Sequence, residues 1–232
     1  MFDMGLMAIG ILFALIGMGI QFRLKSKFKT YSQEPIKLSG KEVAEKMLRD
    51  SAIYDVSVTS QPGFLTDHYN PVTKVVNLSE DVYSGRNVAA AAVAAHECGH
   101  AVQHAHAYTW LNLRTAMVPV VQVSSTLMNF LFMALFFVAY SLPTMGNTML
   151  LIVIVCQAAI TLFSIITLPV EVDASKRGLA WLSSAGITYG EEYDHAKDAL
   201  TWAAYTYFAA AMGAIASLIY LILRFTGNNR DN

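Results

Sequence analysis

Residues 148–168 read TMLLIVIVCQAAITLFSIITL, and residues 169–177 continue PVEVDASKR. The first stretch carries no charge, and acids and bases return directly after Pro169. A helix needs about 20 apolar residues to cross a bilayer. The stretch therefore predicts a membrane span that opens into a polar segment. Three more runs share the pattern: Met4 to Phe22, Ala116 to Leu142 and Ala203 to Leu223. None of the four contains Asp, Glu, Lys, Arg or His. Ion and proton pathways usually need such groups inside the membrane, so a transporter or pump is disfavoured. The first run is followed by Gln21-Phe22-Arg23-Leu24-Lys25 and preceded by no basic residue. That reads as a retained span rather than a cleaved leader. In the last run Ala209, Gly213 and Ser217 stand four apart, a small-residue stripe suited to close helix packing.

The 232 residues are 55% hydrophobic and 14% charged, against about 25% charged in a soluble domain. Lys plus Arg is 16, Asp plus Glu is 17, and the net charge is −1. Disorder is excluded by the apolar content, and a basic nucleic-acid binder by the charge balance. Two cysteines make no disulfide framework. The basic residues are nonetheless asymmetric. Residues 23–115 hold 11 and residues 170–202 hold 3, leaving only Arg224 and Arg230 elsewhere. The positive-inside rule then puts both segments in the cytoplasm and both termini outside.

Within these segments, SGKEVAEKMLRD (39–50) predicts a helix capped by Ser39. Ile53 to Ser60 alternates like a strand. FLTDHY and KVVNLS (64–79) predict a strand pair about a turn at Asn70-Pro71-Val72-Thr73. Val88 to Tyr108 is Ala-rich and predicts a helix, and Val170 to Ser183 predicts another.

The helix at 88–108 contains His96-Glu97-Cys98-Gly99-His100. Positions i and i+4 share a helix face, so both imidazoles can reach one zinc. Zinc lowers the pKa of water, and Glu97 beside that face can take its proton as the water attacks a carbonyl. Glu97 can then pass the proton to the leaving amine. A catalytic zinc needs a third protein ligand. Locally His104 and His106 are available, but His104 lies a further turn along and His106 needs a helix break at Gln103. The distal choice is Glu171. The chain leaves and re-enters the cytoplasmic face through two spans, so Glu171 arrives beside the motif on a new helix. Cys98 faces away from the histidines, and Cys156 sits inside the third span as packing.

AAHECGHAVQH, LTDHYNPVTKVVNLSEDVY, LPVEVDAS and AAYTYFAAA together resemble the YugP-type membrane zinc metallopeptidases of bacteria, over nearly the whole chain. The resemblance implies a gluzincin-like centre with His96, His100 and Glu171 as zinc ligands and Glu97 as catalytic base. HtpX-type membrane peptidases carry an Asp four residues after the ligand glutamate. Ser175 stands there here, with Asp173 as the nearby acid that would orient a ligand imidazole. Lys74 to Ser79 becomes the candidate edge strand for substrate pairing. His68 and His195 become candidate donors to the oxyanion, and Asp67 a partner of the Asn70-Pro71 turn.

The expected fold is mainly α, a polytopic membrane protein with four transmembrane helices and a small cytoplasmic α+β zincin-like domain. Residues 1–22 form the first span, and 23–115 the cytoplasmic domain. Residues 116–169 form a helical hairpin, 170–202 a cytoplasmic helix with the third ligand, and 203–232 the last span and tail. The expected protein is a bacterial inner-membrane zinc endopeptidase acting on membrane-associated proteins or peptides, with the bilayer and no nucleic acid as partner. The alternative is a non-catalytic scaffold with a structural metal.

Overall fold

The computed structural model describes residues 4–138 and 146–228. Among the described residues the chain is mostly helical with one small sheet. In order it forms α1 (Met4–Tyr31), α2 (Gly40–Asp50), β1 (Ser57–Gln61), β2 (His68–Asn70) and β3 (Val75–Ser79). α3 (Glu80–Ser84), α4 (Val88–Ala105), α5 (Thr109–Val138), α6 (Gly146–Ser184) and α7 (Glu191–Asn228) follow. Among the described residues, α1, α6 and α7 are long and apolar enough to cross a membrane. The run at 116–142 begins inside α5 and passes beyond the described residues after Val138. The middle of the helical hairpin expected at 116–169 likewise falls outside them, at residues 139–145.

The chain divides into two compact units. One comprises Met1–Gly19, Leu113–Leu168 and Tyr207–Asn232. Its surface is apolar, with Leu15, Val123, Phe130, Val155 and Leu223 exposed, as lipid-facing helices require. The small-residue stripe of α7 is used in this unit. A Cβ on Gly213 would lie 3.0 Å from Cγ of Phe13 in α1. Gln157 and Thr161 of α6 both donate to the Ala214 carbonyl, at 3.2 and 3.1 Å.

The second unit comprises Ile20–Asn112 and Pro169–Thr206. α4 is its centre, with 14 of its 18 residues buried. The Ala-rich sequence explains this, because small side chains let neighbouring elements approach on every side. Asn87 caps α4 by accepting from the Ala90 N–H at 2.9 Å. α2 packs on α4 through Val43, Ala44, Met47 and Leu48. Ser39 and Glu42 form a reciprocal capping box at its start, a device for satisfying free N–H groups at a helix end.

Several sequence expectations need correction. β1 starts at Ser57 rather than Ile53, and α4 stops at Ala105 rather than Tyr108, where Ala107 adopts a left-handed φ of 51°. The sheet order is β1-β3-β2, with β1 parallel and β2 antiparallel to β3. KVVNLS therefore forms the central strand, not the edge. Both of its sides are already hydrogen-bonded, and Val76 and Leu78 are fully buried. The turn after β2 is closed by Asn70 itself, whose Oδ1 accepts from the N–H groups of Val72 and Thr73. Asp67 instead accepts from the Ser79 N–H at 2.7 Å and from its hydroxyl. Burial pushes the Asp67 carboxyl above its ordinary value.

The expected break at Pro169 is also absent. α6 runs without interruption from Gly146 to Ser184. A proline inside a helix removes one backbone hydrogen bond, and apolar surroundings favour keeping all the others. At 39 residues, α6 is about 58 Å long, against a hydrocarbon thickness of about 30 Å. Glu171 thus lies on the polar continuation of the same helix as residues 148–168.

Candidate metal centre

α4 and the polar part of α6 run antiparallel in near backbone contact. A Cβ on Gly99 would lie 2.4 Å from the Ala174 carbonyl oxygen, and one on Gly178 would lie 2.9 Å from that of Ala95. Two glycines are required because any side chain would hold the helices apart. This approach places His96 opposite Ser175 and His100 opposite Glu171.

His96, His100 and Glu171 offer ligand atoms that all lie within 4.8 Å of one another. Glu171 Oε2 is 3.3 Å from His96 Nε2 and 3.5 Å from His100 Nε2. The two imidazoles stand nearly perpendicular, their centroids 4.8 Å apart. A tetrahedral zinc with bonds of about 2.0–2.1 Å separates its ligand atoms by about 3.3–3.4 Å. The donor set, two nitrogens and a carboxylate oxygen, also matches zinc chemistry. Glu171 is only 3% exposed. Burial opposes a charge on His100, but the Glu171 carboxylate outweighs it and holds the imidazole above its usual value.

Each imidazole has a partner on its other nitrogen. His96 Nδ1 meets Ser175 Oγ at 3.0 Å. His100 Nδ1 meets Gln103 Oε1 at 3.0 Å. Asp173 touches neither ring. It accepts from Gln103 Nε2 at 2.8 Å and from Arg177 Nε at 2.5 Å, so its link to His100 runs through Gln103. Arg177 in turn lies over the Tyr108 ring.

Glu97 is buried beside the trio on α4. Its Oε2 accepts from the Tyr69 N–H of β2 at 3.0 Å. One carboxylate oxygen is thereby fixed by a backbone group, which sets the direction of the other. His104 is drawn away to the Tyr69 hydroxyl, at 2.9 Å. His106 is the exposed C-cap residue of α4. His68 sits on β2 with Nδ1 at 2.9 Å from the Thr66 carbonyl and Nε2 at 3.2 Å from Asn77. His195 pairs with Glu34 at 2.8 Å and stacks on Tyr31. Both rings are thus engaged by residues other than the trio. Cys98 is buried, with its thiol pushed far up by desolvation, and Cys156 is buried in α6.

Gln103, Tyr69 and Ser175 take roles in the structure that the sequence does not assign them. Gln103 carried a signal, being one turn beyond His100 on a helix face bearing Gly99. Tyr69 carried none, because it acts through its backbone N–H. Ser175 was legible only as the replacement of an expected acid.

Over residues 6–226 the chain matches the family described as "putative neutral zinc metallopeptidase". It is 37% identical over 214 residues to the "putative membrane protease YugP" of Bacillus subtilis, covering 91% of this chain and 92% of that protein. No solved structure matches it significantly. A match across nearly the full length, with the trio in place on two packed helices, puts the chain in the neutral zinc metallopeptidase family.

Proposed function

We propose that this protein is a membrane zinc endopeptidase that cuts peptide bonds at the cytoplasmic membrane surface. The observation that carries the reading is the convergence of His96, His100 and Glu171 beside a buried Glu97. The three residues would hold zinc by two imidazole nitrogens and one carboxylate oxygen. When bound, zinc lowers the pKa of water to about 7 and polarises a carbonyl. Glu97 takes the proton of the attacking water and delivers it to the amine as the C–N bond breaks. The Tyr69 N–H holds the Glu97 carboxylate in register for both transfers. A set of three protein donors among the described residues favours catalysis over a structural site, which closes its coordination with four.

The cytoplasmic placement is supported by 14 of 16 basic residues lying in 23–115 and 170–202. The run at 116–142 is the proposed fourth span, with both termini outside the bacterial cell membrane. The substrates are proteins or peptides held at that membrane, because Glu171 lies on the same helix as the apolar run 148–168. The test is Glu97→Gln in the purified full chain. It should keep zinc and lose cleavage of an unstructured protein such as casein. Cleavage at the unaltered rate would remove Glu97 from the mechanism.

A further inference from the structure

Gln103 is fully buried, and both ends of its amide are specified. Nε2 lies 2.8 Å from the Val170 carbonyl and 2.8 Å from Asp173 Oδ2. Both atoms are acceptors, so both amide hydrogens are used there. Turning the amide over would set its oxygen against a carbonyl and a carboxylate. The atom facing His100 Nδ1 is therefore Oε1, which has no hydrogen to give. The contact can form only if His100 carries its proton on Nδ1. In the neutral ring that leaves the lone pair on Nε2, the atom 3.5 Å from Glu171.

His96 is held differently. The Ser175 hydroxyl can donate or accept, so it sets no tautomer. The same Gln103 side chain also grips α6 at the residue before Glu171 and the one two places after it. It thus ties His100 on one helix to the backbone around Glu171 on the other. Arg177 holds Asp173 in turn, so the acceptor that fixes the amide is itself fixed.

The geometry points to Gln103 as the positioning residue of the metal centre, setting the tautomer of His100 and the place of Glu171 together. This rests on the reading of His96, His100 and Glu171 as zinc ligands. A neutral amide does here what a carboxylate commonly does for a ligating histidine. It does so without adding a negative charge beside Glu171.

The first test needs no substitution. In the full-length, zinc-free protein in detergent, nitrogen NMR of labelled histidine reads each ring's tautomer at a pH where it is neutral. His100 should be protonated on Nδ1. Protonation on Nε2 would overturn the inference. The second test is Gln103→Met, which keeps an unbranched side chain of similar length. Zinc affinity, measured by chelator competition, should fall about 10- to 100-fold, the usual effect of removing such a partner. The Nδ1-protonated signal should also give way to a tautomer mixture. Unchanged affinity and tautomer in a variant that melts like the unaltered protein would overturn it. No zinc binding by the unaltered chain would overturn the ligand reading, and this inference with it. Peptide cleavage enters neither test, so a failure of the peptidase reading is distinguishable.

Discussion

Gly99 lies against Ala174 with no room for a side chain, since a Cβ would come within 2.4 Å of the Ala174 carbonyl oxygen. That contact sets the distance between the two helices that carry the candidate ligands. His100 follows Gly99 directly, and Glu171 precedes Ala174 by three residues, so the closeness of the backbones fixes the closeness of the donors. Adding one methyl group must push the helices apart. Gly99→Ala should destabilise the protein by about 1–3 kcal/mol, the range for overpacking a tight interface. It should also reduce bound zinc. Thermal unfolding and metal analysis of the same preparation check both effects, and a variant with normal zinc content would separate the packing from the site.

Glu171→Ala should lose most of the zinc, because it removes the one carboxylate of the trio. Elemental analysis after dialysis against trace chelator reads the outcome. Full occupancy would shift the third ligand to His104 or His106.

Asp67, which is not one of the candidate ligands, predicts a pH effect of its own. Burial raises its pKa above 3.8 despite the bonds from Ser79. A raised value means the folded state binds the proton more readily than the unfolded chain. Its favourable contribution is full below 3.8 and is lost as pH rises through the raised value. Asp67→Asn keeps an oxygen to accept from Ser79 and cannot ionise. The difference in melting temperature between variant and unaltered protein should therefore move in the variant's favour as pH climbs from about 4 towards neutrality. A constant difference across that range would contradict the assignment.

Asp67→Ala is a different experiment. It leaves the buried Ser79 N–H and hydroxyl without their acceptor, at a cost of about 1–3 kcal/mol. Chemical denaturation should place Asp67→Ala clearly below Asp67→Asn in stability.

Ser39 begins α2 with a reciprocal cap. Ser39→Ala should cost about 1 kcal/mol and leave zinc content unchanged, since the cap does not touch the trio. Loss of zinc would mean that α2, which packs on α4, transmits strain to the site.

Much of this architecture is written in local pattern. The uncharged runs, the Ser39 cap, the strand pair around Asn70 and the His-Glu-x-x-His spacing each depend on residues a few positions apart. Their physics is period, capping and hydropathy, which a chain carries without any tertiary contact. Even the Glu171 candidate followed from counting crossings of the membrane.

What the tertiary structure decided depends on partners far apart in sequence. Which strand is central depends on β1 pairing with β3 across the intervening β2, and this overturned the edge assigned to Lys74–Ser79. The persistence of α6 through Pro169 depends on surroundings that outweigh one lost hydrogen bond. Gln103 became meaningful only when Val170 and Asp173, nearly 70 residues on, supplied the two acceptors that orient its amide. Tyr69 reaches Glu97 through a backbone N–H that every non-proline residue has. The sequence by itself determined which groups could bind a metal and where the chain is apolar. Only packing decided which groups meet, because two glycines on separate helices bring those backbones together.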